Sequence, residues 1–206
     1  MTYKGLPAPI ICDYLSREAS RKLYAPGTEF QIGKIEMVAN TGTYLDSPFH
    51  RYADGKDLSQ LALEKLANLP AIKIRAQHKR AIDAACFPRN ESLAGRAVLV
   101  ETGWSQYWNT PQYYEGHPFL TEDAARFLAD AGVALVGIDS HNIDDVQDLR
   151  RPVHSILLGN EIPVVEHMTN LAAVPPAMPS NDFRFFAVPV KVQGFGTFPV
   201  RAFALG

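Results

Sequence analysis

The sequence predicts an α/β fold: a single domain with a mixed sheet or a barrel-like core and few helices. The 206 residues are enough for one domain with a closed core, and 47% are hydrophobic and 20% charged, which is typical of globular proteins. Neither an internal repeat nor a shift in composition divides residues 1–206. Short strand-like segments outnumber helical ones, and the middle of the chain alternates strand, helix and strand.

The first half of the chain contains three predicted strands and one predicted helix. "FQIGKIEMVAN" (30–40) partly alternates apolar and polar residues, which indicates a strand. "LSQLALEKLANLP" (58–70) spaces its leucines at helical intervals and ends at a proline, which predicts a helix. "AIKIRA" (71–76) predicts a short strand, and "RAVLVETGW" (96–104) predicts an apolar strand that stops at a Thr-Gly pair.

The second half contains the clearest helix. In "LTEDAARFLADAG" (120–132), Thr121 is placed to cap the N-terminus and Gly132 to close the C-terminus. "VALVGID" (133–139) predicts a buried strand, and "VHSILLGNEIPVVEHM" (153–168) predicts a short helix, a turn and a strand. Two further strands are predicted to close the chain: "FRFFAVPVKV" (183–192) and "FPVRAFAL" (198–205).

Composition excludes several classes of partner. The net charge is −2, and the densest basic run, "RAQHKR" (75–80), is interpreted as the solvated end of a strand, so we expect no binding to nucleic acid. No run reaches the roughly 20 apolar residues that cross a bilayer, so we expect no membrane partner. Two cysteines without a signal peptide predict free thiols and a cytoplasmic protein.

Polar residues that could perform chemistry lie at the ends of apolar segments. Asp46 and His50 belong to "NTGTYLDSPFH" (40–50), and His154 and Glu166 flank the last helix-strand unit. A divalent cation such as Zn²⁺ commonly takes three imidazole or carboxylate ligands and keeps an open position. Asp46, His154 and Glu166 would supply such a set, although their spacing does not show that they meet.

Each of these residues also has a structural interpretation. Asp46 precedes a Ser-Pro pair and could be a turn residue. His154 could be a hydrogen-bonded core histidine, and Glu166 could cap a helix or face solvent. His141 follows an apolar strand among acidic neighbours and stays open as a functional or loop residue. Three histidines lack a partner pattern and are interpreted as structural: His78, His117 and His167.

The combination resembles the cyclase family, to which bacterial kynurenine formamidase and isatin hydrolase belong. "NTGTYLDSPFH" is similar to the family signature H-x-G-T-H-x-D-x-P-x-H, and the similarity continues from about residue 11 to residue 205. Four further segments follow in the family's order: "VLVETGW" (98–104), "LTEDAARFLADAGVALVGID" (120–139), "HSILLGNEIPVVEHMTNL" (154–171) and "GTFPVRAFAL" (196–205).

The resemblance implies a swivelling β/β/α-type fold and a hydrolase that opens an amide, lactam or related acyl bond. In formamidase-like members two metals share the signature aspartate, which is Asp46 here. The other ligands of one metal are two signature histidines, replaced here by Asn40 and Tyr44. The other metal takes a later histidine and glutamate, which correspond to His154 and Glu166.

Both differences from the family signature therefore fall in the same half of the metal site. An asparagine is a weak neutral oxygen donor, and a phenol must lose its proton to become a strong ligand. We therefore predict one divalent metal, Zn or Mn, on Asp46, His154 and Glu166. The resemblance makes His50 the acid–base residue, and Tyr44 and Asn40 are then predicted to polarise or orient the substrate carbonyl.

Two alternatives remain at this stage, and both lack a metal. The chain could be an acid–base enzyme such as a cyclase, lyase or isomerase, or a catalytically inactive binding subunit. The predicted partner is a small ring-bearing molecule, with Phe49 and Trp104 as aromatic contacts. The resemblance and the apolar "LPAPII" (6–11) predict a homodimer or homotetramer.

Overall fold

The computed structural model describes residues 3–174 and 183–206, and it confirms an α/β domain with a mixed sheet and few helices. The helices in these residues are α1 (Arg17–Ser20), α2 (Glu122–Asp130) and α3 (Pro152–Gly159). The strands are β1 (Ile10–Leu15), β2 (Ile32–Glu36), β3 (Tyr44–Asp46), β4 (Leu69–Arg75), β5 (Ala81–Ile82), β6 (Ala97–Glu101), β7 (Phe119–Leu120), β8 (Leu135–Ile138), β9 (Val164–Glu166), β10 (Phe183–Phe186), β11 (Thr197–Pro199) and β12 (Phe203–Leu205).

Eight of the strands form one mixed sheet in the order β11-β3-β9-β8-β6-β4-β10-β12. The four central strands β9, β8, β6 and β4 run parallel, and the outer strands on both sides pair antiparallel. Successive side chains of a strand point to opposite faces. Val98 and Val100 therefore join the core beneath α2 and α3, whereas Ala97 and Leu99 join a second core on the other face.

The predicted helix over residues 58–70 is wrong. Four of its five leucines are buried in the second core and Leu63 is exposed, and the buried ones reach the core from an irregular segment with a 3-10 turn at Leu63–Lys65. Asn68 has a φ of 56°, a left-handed conformation that a helix cannot contain, and Pro70 lies inside β4. The leucines are explained by burial in the core, because an irregular segment can also bury side chains at these intervals.

The predicted helix over residues 120–132 is confirmed as α2, with Gly132 just beyond its end at a φ of 68°. Thr121 occupies the N-cap position, but its hydroxyl makes no capping hydrogen bond to the backbone; it donates to Asp123 Oδ1 at 2.5 Å and lies 3.2 Å from the Ile82 carbonyl oxygen. α2 has nine residues, and no helix of the described chain is long and apolar enough to cross a membrane.

A hairpin of β1 and β2 stands apart from the main sheet. The two strands pair antiparallel with each other and are exposed along almost their whole length. The exposed fractions are 77% for Ile11, 78% for Tyr14 and 62% for Ile35. Isolated two-stranded hairpins are marginally stable in water, so these apolar side chains are a candidate surface for contact with another chain.

Candidate active site

The site is built where β3 lies between β9 and β11. The antiparallel register places Tyr44 opposite Glu166 and Asp46 opposite Thr197. A 3-10 turn at Pro48–His50 follows β3 directly and brings His50 back beside Asp46. A Cβ on Gly196 would clash with the His50 backbone, so a glycine is required for β11 to pass this close to the turn.

Asp46 and His154 converge, together with Glu166 and His50. The His154 Nε2 atom lies 3.6 Å from Asp46 Oδ2 and 3.6 Å from Glu166 Oε1. One ligand atom from each of Asp46, His50 and His154 lies within 4.8 Å of the others. Residues separated by up to 120 positions in the sequence therefore form one compact cluster of potential metal ligands.

Asp144 sets the tautomer of His154. Its Oδ2 lies 2.6 Å from His154 Nδ1, and its carboxylate also accepts hydrogen bonds from the backbone N–H groups of Val153 and His154 at the start of α3. A carboxylate can only accept, so the proton is on Nδ1 and Nε2 keeps its lone pair when the ring is neutral. Carboxylates that accept a hydrogen bond from the other ring nitrogen in this way orient metal-binding histidines in proteins.

The electrostatics of this cluster fit a cation. Burial opposes the charged form of His154, but Glu166, Asp144 and Asp46 outweigh burial and raise its pKa to about 10. Burial and the neighbouring Asp46 charge raise the pKa of Glu166 to about 7. Asp46 Oδ2 is buried without a hydrogen-bond partner among the described residues. An unsatisfied buried carboxylate oxygen beside an imidazole nitrogen that can exchange its proton for a metal is a suitable donor set for a divalent metal.

His50 is linked to Asp46 through Thr197. The Thr197 hydroxyl donates its only proton to Asp46 Oδ1 and lies 2.9 Å from His50 Nδ1. The hydroxyl oxygen must then accept from Nδ1–H, which leaves the lone pair of His50 on Nε2. The His50 side chain is 37% exposed, so this nitrogen is accessible to water and to a substrate.

The other side of Glu166 faces hydroxyl and amide groups. Tyr44, fully buried, donates to Glu166 Oε2 at 2.7 Å, and the backbone N–H of Ile143 donates to Oε1 at 2.6 Å. The hydroxyl of Tyr3 lies 2.7 Å from the Tyr44 hydroxyl, and Asn142 donates to it at 3.0 Å. Tyr44 therefore directs its proton to Glu166.

A cavity of about 300 Å³ opens onto the site, and Asn40, His50, His154 and Glu166 contribute to its lining. Trp104 instead lines a separate cavity of about 700 Å³ at the carboxyl ends of β4, β6 and β8. Phe49 is half-buried beside His50 and lines neither of these cavities. A role for Phe49 or Trp104 as a substrate contact stays a prediction.

Sequence reasoning missed three residues of the site. Asp144 lies in "DSHNIDD" (139–145), whose acidic character was a visible signal, but nothing distinguished this aspartate from its neighbours. Thr197 lies in a segment that matched the family only as a closing strand. Tyr3 had no sequence signal, because its contacts are with residues 41 to 163 positions away.

Two relatives of known name are similar to this chain over most of its length. The chain is 28% identical over 171 residues to the kynurenine formamidase of Bacillus cytotoxicus, covering 83% of this chain and 78% of that protein. It is 27% identical over 179 residues to the kynurenine formamidase of Salinibacter ruber, with the same coverage.

Solved structures show the same fold. A potential metal-dependent hydrolase with cyclase activity superimposes with a TM-score of 0.72 and 25% identity, covering 95% of this chain and 96% of that one. An isatin hydrolase bound to the product analogue thioisatinate superimposes with a TM-score of 0.79 and 22% identity, covering 99% and 84%.

The model of the family described as "Putative cyclase" matches residues 7–145, more than half of the chain. This match confirms the resemblance that the signature loop suggested, and the relatives agree with the predicted class of enzyme, a hydrolase of that family. The chain belongs to the cyclase family.

Proposed function

We propose that this protein is a metal-dependent hydrolase that opens a C–N acyl bond, in an amide, formamide or lactam, of a small ring-bearing substrate. The relatives named for formamide and isatin hydrolysis support the reaction class. The observation that carries the proposal is the approach of Asp46 Oδ2 and His154 Nε2 to 3.6 Å, with the buried Asp46 oxygen lacking a hydrogen-bond partner among the described residues.

Asp46 and His154 would hold one Zn or Mn ion, with Glu166 as the proposed third ligand. His50 lies in the same cluster, but its Nδ1–H donates to Thr197, so we do not assign it as a ligand. A divalent cation at this position supplies Lewis-acid polarisation of the acyl oxygen and makes a water more acidic. The chain's own residues must then orient the substrate and move the proton.

His50 is the proposed acid–base residue. Its Nε2 takes a proton from water as the water oxygen bonds to the acyl carbon, and returns that proton to the nitrogen as the C–N bond breaks. Thr197 and Asp46 hold the ring in the required tautomer and stabilise the imidazolium that forms between these steps, the role an aspartate plays behind a catalytic histidine.

Asn40 and Tyr44 act differently in this proposal. Asn40 lines the cavity, so its amide can donate to the substrate carbonyl. The Tyr44 proton is committed to Glu166, so Tyr44 is a positioning residue that acts through this carboxylate. We also propose that neither replacement inactivates the site, since the cluster around Asp46 does not depend on them.

The test is metal analysis combined with hydrolysis assays. Protein purified without chelator should contain about one metal per chain and should hydrolyse the formamide of kynurenine, isatin or a related arylamide. His50→Gln should lower kcat by about a hundred-fold or more, whereas His78→Gln, at an exposed position outside the site, should not. Absence of metal, with no turnover after addition of Zn²⁺ or Mn²⁺, would favour the metal-free alternatives.

We further propose that the chain forms a homodimer or homotetramer through the β1–β2 hairpin, whose apolar side chains are exposed. Light scattering across a dilution series should give a mass of at least twice 22.8 kDa. Ile11→Lys, at a residue 77% exposed, should shift the mass towards the monomer. A mass of 22.8 kDa for the unmodified protein at all concentrations would disprove this assembly.

A further inference from the structure

The side chain of Tyr3 occupies a pocket of aromatic rings next to the proposed catalytic cluster. Its ring centroid lies 4.9 Å from that of His141 and 5.5 Å from that of His167, within the range of favourable aromatic pairs. Tyr113 supports both histidines, at 5.7 and 5.8 Å, and its hydroxyl lies 2.9 Å from His167 Nδ1. We call Tyr44, Tyr113, His141 and His167 the aromatic box.

The polar end of the box is arranged for a hydroxyl or amino group. The Tyr3 hydroxyl lies 2.7 Å from Tyr44 and 3.4 Å from Glu166 Oε2, and it accepts from the Asn142 amide at 3.0 Å. The Asn142 side-chain oxygen already accepts from the Asp144 backbone, which fixes its amide nitrogen towards Tyr3. A ligand here must therefore both donate and accept, as a phenol or an aniline does.

Two atoms of the box remain without partners. His141 is 5% exposed and His167 1% exposed, yet His141 Nδ1 and His167 Nε2 lack a hydrogen bond among the described residues. Buried polar atoms are usually satisfied, so these two nitrogens beside the Tyr3 ring call for an explanation.

The backbone beside Tyr3 is not part of the folded core. Residues 7–14 are exposed, and Gly5 turns the chain with a φ of 93°. Tyr3 is therefore held mainly by the groups around its own side chain, and its departure would not require the sheet to open.

We propose that the aromatic box is a binding site for a ring that carries a hydroxyl or amino group, and that Tyr3 is its tethered occupant, which such a ring must displace. The inference extends the proposed function by assigning a ring-binding position, but its test measures binding without turnover. If Tyr3 leaves the box in only a small fraction of the molecules, the apparent affinity for another ring is reduced by that fraction. Tyr3 would thus set both the selectivity and the apparent affinity of the site.

The test uses p-cresol, which reproduces the tyrosine side chain, as the probe. Binding is measured by calorimetry and by the fluorescence of Trp108, whose ring lies 5.9 Å from that of His167. Tyr3→Ala should bind p-cresol about ten-fold more tightly than the unmodified protein, because the box is vacated. Toluene, which lacks the hydroxyl, should bind Tyr3→Ala several-fold more weakly than p-cresol does.

Two variants make the result decisive. Tyr24→Ala removes an exposed tyrosine outside the aromatic box and outside β1 and β2, and should bind p-cresol like the unmodified protein. Tyr3→Phe keeps the ring but loses the hydroxyl contacts, so its affinity for p-cresol should lie between those of the unmodified protein and Tyr3→Ala. If Tyr3→Ala does not fold, Tyr3→Phe decides.

Equal p-cresol affinity in Tyr3→Ala and the unmodified protein, or no binding to a folded Tyr3→Ala, would overturn the inference. If Tyr3→Ala binds p-cresol but no metal is found and no amide is hydrolysed, the ring-binding box stands and the proposed hydrolase function fails. If hydrolysis is observed but Tyr3→Ala does not change the affinity for p-cresol, the proposed hydrolase function stands and the ring-binding inference fails.

Discussion

The buried carboxylates on the two sides of Glu166 are compensated in different ways. Towards His154 the site is ionic, and Asp46 Oδ2 has no hydrogen-bond partner among the described residues. Towards Tyr44 and Tyr3 the site is neutral, and Glu166 Oε2 accepts a phenol proton. A buried carboxylate can be compensated by a cation or by hydrogen-bond donors. The ionic side is therefore compensated by a cation, which is the His154 imidazolium in the metal-free protein and a metal ion in the proposed enzyme, whereas the phenolic side uses neutral donors.

The same comparison explains why two replaced histidines need not inactivate the site. On the Tyr44 side, the two phenols and the Asn142 amide satisfy one another in a chain that ends at Glu166. In our proposal this hydrogen-bond network takes the place of one metal, and the cluster around Asp46 and His154 holds the other. Each of the following predictions tests whether the two sides are independent in this way.

The largest effect is expected from Asp46→Asn. This change removes the carboxylate shared by His154 and the Thr197–His50 pair, so metal content should fall to near zero and turnover by about a thousand-fold or more. Asp54→Asn is the matched control, because Asp54 is exposed in the same loop. Retention of both metal and activity in Asp46→Asn would show that the ionic side is not the metal site.

Asp144→Asn should have a smaller effect, because Asp144 acts through His154. An asparagine at this position no longer enforces the Nδ1–H tautomer, so metal affinity should fall by about 10- to 100-fold. Competition with a chromogenic chelator measures this directly. Asp130→Asn, at the end of α2, should leave metal affinity unchanged; an equal loss in both variants would indicate a general effect on folding instead.

The stability of the metal-free protein should fall as the pH rises from about 6.5 to about 10. The pKa of His154 is raised from 6.5 to about 10, so above pH 6.5 the folded state holds a proton that the unfolded chain releases. This contribution is complete below pH 6.5 and is lost as the pH rises through about 10.

A metal competes with that proton, so its affinity should rise with pH by up to about ten-fold per pH unit. The difference in Tm between metal-loaded and metal-free protein should therefore grow with pH, as measured by calorimetry. His154→Gln should abolish this trend. A metal-free Tm that is constant across this range would contradict the assignment of the proton to His154.

The smallest effect is expected on the phenolic side. Tyr44→Phe removes one hydrogen bond to Glu166, but Tyr3 lies 3.4 Å from the same oxygen and can replace it. Turnover should fall by about ten-fold or less, with metal content unchanged. Conversely, Asn40→His combined with Tyr44→His should raise metal content towards two per chain. If this double variant binds no additional metal, the Tyr44 side does not become a metal site when the two histidines alone are restored.

The sequence alone determined the elements with strong local patterns. The apolar runs of β6 and β8 and the capped pattern of α2 were predicted, because burial on both faces of a parallel strand and on one face of a helix leaves a periodic trace. The signature loop also predicted Asp46 and His50 as site residues, because the whole motif lies within eleven consecutive residues. The leucines of residues 58–70 misled the same method, because their burial does not follow a helix.

Only the tertiary structure decided which groups meet. Thr197 reaches Asp46 across 151 positions, and Asn142 reaches Tyr3 across 139, so neither contact leaves a local pattern. Asp144 is one of several acidic residues in its loop, and only the position of α3 selects it as the partner of His154. Hydrogen bonds and charges act over a few ångströms in space, whereas periodicity reports only a residue's neighbours along the chain. The fold class could therefore be predicted from the sequence, but the network that orients the site could not.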